Sequence, residues 1–210
     1  GHPGRAVLVE GDATHVVVGA PFFYGTGPTK GTGGGYVGRA YVVFGRKDVP
    51  GGFIDLADVI AGTGGFAINP ERHGLPLGFS VAQAGDVNGD GFADIIRGAP
   101  FSGYQVYTPG YCYAGYTDYY GGYICTDYRG PSTYGYNGVG RAYVIYGKPD
   151  TNPVDCAAIS SGVGGFTIEG TGEYDYLGFS VSGAGDVNGD GFSDVIVGSP
   201  YADSNTGYKG

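Results

Sequence analysis

At 210 residues, with 46 glycines, 20 tyrosines and neither methionine nor tryptophan, the chain is long enough to bury the core of one domain, yet no long segment carries apolar residues at helical spacing. Its net charge of −9 argues against a nucleic-acid partner and against anionic membrane surfaces. No apolar run reaches the roughly 18 residues that would cross a bilayer, and glycine without a triplet period excludes collagen.

The chain opens Gly1-His2-Pro3, so a processed or excised segment is expected. The first apolar run, Val16-Val17-Val18, closes on Gly19-Ala20-Pro21. A second block, Gly38-Arg39-Ala40-Tyr41-Val42-Val43-Phe44-Gly45, and a third, Gly64-Gly65-Phe66-Ala67-Ile68, follow. Then comes Leu77-Gly78-Phe79-Ser80-Val81, an acidic loop from Asp86 to Asp94, and the tail Ile95-Ile96-Arg97-Gly98-Ala99-Pro100. After a tyrosine-rich stretch the blocks return in order: Gly140 to Gly147, Gly164 to Ile168, Leu177 to Val181, Asp186 to Asp194, and Val195 to Pro200. Short apolar runs bounded by Gly, Asn and Asp read as strands. Runs without alternation read as strands buried on both faces. Four short antiparallel strands per repeat describe a propeller blade or a related stacked unit. The fold expected is all-β, with about 2.5 four-stranded blades.

The two acidic loops carry the chemistry. The first reads Asp86-Val87-Asn88-Gly89-Asp90-Gly91-Phe92-Ala93-Asp94, and the second Asp186-Val187-Asn188-Gly189-Asp190-Gly191-Phe192-Ser193-Asp194. Side-chain oxygens stand at positions 1, 3, 5 and 9. Position 7 (Phe92, Phe192) offers a backbone carbonyl, and glycine at position 6 permits the sharp turn. Calcium takes six to eight oxygens in flexible geometry. The absence of thiolate and imidazole disfavours zinc and copper. Two Ca2+ sites are therefore expected, on Asp86, Asn88, Asp90, Phe92 and Asp94 and on Asp186, Asn188, Asp190, Phe192 and Asp194. The competing reading is a plain hydrogen-bonded turn, since Asn-Gly and Asp-Gly favour hairpins, but three clustered aspartates would then repel without compensation. In the first copy the chain reads Val9-Glu10-Gly11-Asp12-Ala13-Thr14-His15. His15 replaces the ninth-position Asp, and no comparable ion is expected there.

The boundaries expected are 1–75 for a degenerate first blade, 76–175 for a full blade with an insert at 101–137, and 176–210 for the start of a third. The insert holds Tyr104 to Tyr136, with eleven of the tyrosines. So much glycine argues against regular strands there. It reads either as an exposed aromatic surface for sugars or a neighbouring subunit, or as a loop packed on its own blade. Cys112 and Cys125 are expected to close a disulfide, which would imply an oxidising compartment, and Cys156 is left over. Arg39 and Arg141 recur in the Gly-Arg-Ala-Tyr block, and the recurrence favours a structural pairing with acidic flanks over a cation–π role.

These blocks resemble the FG-GAP repeat family, found in the propeller of integrin α subunits and in secreted integrin-like repeat proteins. The residues that carry the resemblance are Gly78-Phe79-Ser80, Asp86 to Asp94, Gly98-Ala99-Pro100 and the Gly-Arg-Ala-Tyr-Val strand, with their second copies. The resemblance implies a seven-bladed β-propeller, calcium on the loops, and extracellular or cell-surface adhesion or scaffolding. Propellers have about four to eight blades. About 2.5 blades cannot close a ring, so the expected partners are adjoining blades of a longer chain or other copies, the latter in a propeller or a filament.

No nucleophile elbow, phosphate loop or paired catalytic carboxylates stand outside the two loops, and an enzyme is not expected. The function expected is an extracellular calcium-binding structural or adhesive repeat module. The alternatives are a carbohydrate-binding module, with glycans as partners of the tyrosine-rich loops, and, least favoured, a calcium-dependent hydrolase.

Overall fold

A computed structural model describes residues 7–9, 15–21, 24–25, 35–36, 38–71, 78–103, 106–108, 111–117, 123–129, 132–134 and 138–202. The first sheet begins with β1 (Val7–Val9) and β2 (His15–Ala20). A short ribbon of β3 (Tyr24–Gly25) and β4 (Gly35–Tyr36) follows, then β5 (Arg39–Phe44). The helix α1 (Leu56–Ile60) precedes β6 (Gly65–Asn69). The Asp55 carboxylate accepts from the Ala57 N–H at 2.8 Å and so caps α1. The second sheet opens with the hairpin β7 (Ser80–Gly85) and β8 (Asp94–Ala99). The insert contributes β9 (Val106–Thr108), β10 (Tyr111–Thr117), β11 (Tyr123–Arg129) and β12 (Ser132–Tyr134). The second sheet resumes with β13 (Arg141–Ile145), and β14 (Val154–Asp155) and α2 (Cys156–Ser160) lead to β15 (Gly165–Glu169). The third sheet is the hairpin β16 (Ser180–Gly185) and β17 (Asp194–Gly198).

Strand order is β1-β2-β5-β6-β14 in the first sheet, β7-β8-β13-β15 in the second and β16-β17 in the third. All neighbours are antiparallel except β14, which lies parallel to β6 with Val154 opposite Ile68. The all-β architecture of four-stranded antiparallel units is as expected from the repeats, and β14 adds a strap that returns from the second unit to the edge of the first sheet. The Asp155 carboxylate fixes the strap by accepting from the Asn69 amide at 3.0 Å.

The sheets stack face to face, and the apolar strands are buried on both sides for that reason. Val17, Val42 and Phe66 of the first sheet meet Val81, Ile95, Tyr143 and Ile145 of the second, with Cys156 and Ile159 of α2 in the same cluster. On its other face the second sheet sets Ala82, Ala84, Ile96, Ala142 and Val144 against Val181, Val195 and Val197 of the third. Burying each large aliphatic side chain is worth roughly 1.5–3 kcal/mol.

The repeated glycines mark the seam between sheets. A Cβ on Gly19 would collide with the Gly78 carbonyl, and one on Gly98 with the Gly178 carbonyl. The glycine of each Gly-Ala-Pro tail therefore meets the glycine before the next Phe-Ser pair, backbone against backbone. The Ser80 hydroxyl adds a bond to the Gly178 carbonyl at 2.8 Å.

Against expectation, the insert forms strands: β10 pairs β11 over seven-residue strands with register shifts on either side of Ala114, and β9 pairs β12. The expectation overweighted glycine. Tyrosine favours strands, and the register tolerates glycine between tyrosines. In that ladder Cys112 lies opposite Tyr128 and Cys125 opposite Gly115. The two cysteines thus lie on paired strands, and the bridge expected between them lies outside the described residues. Their side chains lie outside the described residues, as do the tyrosine side chains of residues 104–116 and 119–136.

Candidate metal centre

Each acidic loop joins the two strands of a hairpin, β7 to β8 and β16 to β17. A register shift between Gln83 and Gly85, repeated between Gly183 and Gly185, turns the strand into the loop. In the first loop the Asp86 carboxylate accepts from the N–H groups of Gly89 (2.7 Å), Asp90 (3.1 Å) and Gly91 (2.9 Å). Asn88 Oδ1 accepts from the Asp90 N–H at 3.0 Å, and its amide donates to Asp90 Oδ2 at 2.8 Å. Asp90 Oδ1 accepts from the Phe92 N–H at 2.8 Å. Asp94 closes the loop, accepting from the Val87 N–H at 2.8 Å.

The second loop repeats this bond for bond. Asp186 accepts from Gly189, Asp190 and Gly191, Asp190 from Phe192, and Asp194 from Val187, at 2.8 to 3.1 Å. Asn188 likewise bridges to Asp190 in both directions. The side chains at positions 1, 3, 5 and 9 thus share one hydrogen-bonded turn, and glycines at positions 4 and 6 adopt positive φ.

The loops differ at position 9. Asp94 is fully buried and also accepts from the Gly147 N–H at 2.6 Å, which ties it to the end of β13. Burial pushes its pKa up, the two backbone N–H groups oppose that, and Asp90 and Asp86 add to the rise by repulsion. Asp194 is half-buried and has no such second partner among the described residues.

No described lysine or arginine pairs with a loop carboxylate; the ion pairs go to Glu71, Glu169 and Asp150 instead. Among the described residues, no three carboxylate, imidazole or thiol groups stand as a ready-made metal cluster, because the aspartates are turned onto backbone N–H groups. The chemistry of the donor set nonetheless fits a hard divalent cation. Each loop offers three carboxylates and an amide oxygen with no soft ligand, and most of these oxygens accept a single N–H and keep lone pairs.

His15 occupies the position equivalent to Asp94 in the first sheet, facing Phe44 as its strand neighbour. Its ring stands edge-on to Phe44, centroids 5.3 Å apart at 88°. Residues 10–14 lie outside the described residues.

The FG-GAP repeat family matches residues 77–123 and 177–210. Each match contains the loop just described with its two flanking strands. This is an FG-GAP repeat protein. The chain is also 30% identical over 191 residues to mouse integrin alpha-E, a match covering 91% of this chain and 12% of that protein. It is 38% identical over 139 residues to integrin alpha pat-2 of Caenorhabditis elegans, covering 64% of this chain and 9% of that protein. The FG-GAP chain thus spans about a tenth of the length of these integrin relatives.

A second polar centre was not foreseen. Glu71, after β6, accepts from Arg141 Nη1 (2.9 Å), the Tyr143 hydroxyl (3.2 Å) and the Ser160 hydroxyl (3.0 Å), and so clasps the second sheet to the first. Arg141 Nη2 pairs with Glu169 at 2.9 Å. The expected acidic pairing of Arg141 is therefore present, together with a cation–π contact 5.9 Å above Tyr143. Arg97 is fully buried nearby, its guanidinium 5.3 Å from the Tyr143 ring, and none of its three nitrogens bonds to a protein atom. Cys156 is buried and free, and burial pushes its thiol pKa up while Arg97 pulls it down. The signal was in the repeats: Arg97 and Cys156 stand where the first unit has Val18 and Leu56.

Proposed function

We propose that the chain is an extracellular, calcium-binding structural or adhesive module whose blades pack onto adjoining blades, of a longer chain or of other copies, in a propeller or a filament. Its units are residues 1–75, 76–175 and 176–210. The observation that carries the assembly reading is a pair of equivalent isoleucines. Ile96 is fully buried under the third sheet, whereas Ile196, at the same place in the third sheet, is 60% exposed. A further blade set on the third as the third sits on the second would cover it. Integrin relatives support adhesion and a cell-surface or extracellular setting. No described helix is long and apolar enough to cross a membrane.

Calcium would be held by Asp86, Asn88, Asp90, Asp94 and the Phe92 carbonyl, and by their second copies. The ion would neutralise carboxylates that otherwise repel one another and so stiffen each hairpin. The role is structural rather than catalytic, because the same loop recurs at the same corner of two sheets. Titration calorimetry tests this reading. Two calcium ions should bind the chain, and Asp90→Ala combined with Asp190→Ala should abolish both. Unchanged stoichiometry in the double variant would overturn the site assignment.

A further inference from the structure

The two loops are not separate. The Ser193 N–H donates to the Asp86 carbonyl at 2.9 Å. Ser193 lies between Phe192 and Asp194, positions 7 and 9 of the second loop, and Asp86 is position 1 of the first. The Phe192 ring sits on Gly89: a Cβ there would lie 2.7 Å from Cε1 of the ring. The Ser193 side chain sits on Gly85 in the same way, its Cβ 2.7 Å from where a Gly85 Cβ would be. A direct hydrogen bond and two side chains therefore join the loops at the residues that would hold the ions.

We propose that the two loops bind their cations with positive cooperativity, an ion in either loop raising the affinity of the other. This rests on the calcium reading above. The coupling follows from preorganisation. Fixing Asp86 around an ion fixes its carbonyl, and through it Ser193 and the ligand positions on either side. The second ion then has less ordering left to impose.

Repulsion between the ions opposes this. At the roughly 10 Å spacing of stacked sheets, screened by physiological salt, it lowers the second affinity by about two- to threefold. Couplings between sites that share an ordered element run from about 5- to 150-fold, so the net effect is cooperative.

Calorimetry on the full chain with calcium chloride as the probe decides it. The wild type should bind two ions with a Hill coefficient above 1. Asp90→Ala should leave one ion, bound at the second loop at least about fivefold more weakly than the second wild-type step. Asp190→Ala should leave one ion, bound at the first loop more weakly than the second wild-type step by the same factor, because linkage is reciprocal. Phe192→Ala keeps every oxygen ligand and should bind two ions with a Hill coefficient near 1. Two ions bound independently, with the single variants leaving the other loop's affinity unchanged, would refute the coupling and leave the calcium reading standing. A wild type that binds no calcium would refute both.

Discussion

Arg97→Met should stabilise the protein. The wild-type guanidinium is fully buried with three unbonded nitrogens, and the effective desolvation penalty for a buried ion is several kcal/mol. Against that stands one contact, the Tyr143 ring at 5.3 Å, and a desolvated cation–π pair is worth about 2 kcal/mol. Methionine fills similar length without the charge, and replacing buried ionic groups by apolar residues of similar volume has gained about 1–4 kcal/mol elsewhere. A gain of about 2 kcal/mol is expected here, which at this chain length raises Tm by roughly 4–8 °C. Urea and thermal unfolding of wild type and variant at one fixed calcium concentration measure it, with Arg97→Leu as a second apolar replacement. If both variants lose more than about 1 kcal/mol, the guanidinium is stabilised in place and the reasoning fails.

Two further outcomes follow from the seam and from the buried thiol. Gly98→Ala puts a methyl group into the Gly178 carbonyl, and overpacking against backbone costs about 1–3 kcal/mol; urea unfolding should register the loss. For Cys156 the folded-state pKa lies above the ordinary thiol value of 9.0. A raised pKa means that its contribution is whole below that value and is lost as pH rises through the folded pKa. Stability should therefore fall on the alkaline side of about pH 9, and Cys156→Ala should flatten that limb without changing the slope at neutral pH. Tyr143, also raised by burial, supplies a residual alkaline loss that the variant keeps.

The loops were legible because two copies agree at every position but the eighth, with an oxygen-bearing side chain at positions 1, 3, 5 and 9 of each. The strands were legible because stacking buries both faces, which leaves unbroken apolar runs such as Val16-Val17-Val18. What escaped reading depends on partners distant in sequence. The strap β14 is two residues long and pairs with a strand 86 positions earlier, Asn69 to Asp155. The five-residue helices α1 and α2 are too short to show periodicity. Glu71 carries no motif; it matters only because Arg141, Tyr143 and Ser160 arrive around it. Arg97 and Cys156 could have been found as a paired departure from Val18 and Leu56, but only with the helices aligned.

The placement of seam and loops bears on what a cation bound there would do. Each hairpin has its seam glycine at one end and its oxygen loop at the other: in the second sheet, Gly98 lies beside Ala99, and Asp86 to Asp94 connects the far ends of β7 and β8. The seam end is held by backbone packing that involves no ionisable group. The loop end carries three aspartates and, between the second and third sheets, the Ser193–Asp86 bond. Losing the cation would therefore loosen one end of the stack and leave the other closed. The first sheet bears this out in its own residues. It has His15 packed on Phe44 where its neighbour has Asp94, and it still forms the full ladder β1-β2-β5-β6. The sheet forms with His15 in place of that aspartate, so a cation on the loops would add stiffness at one rim of the stack and in the contact with the next unit.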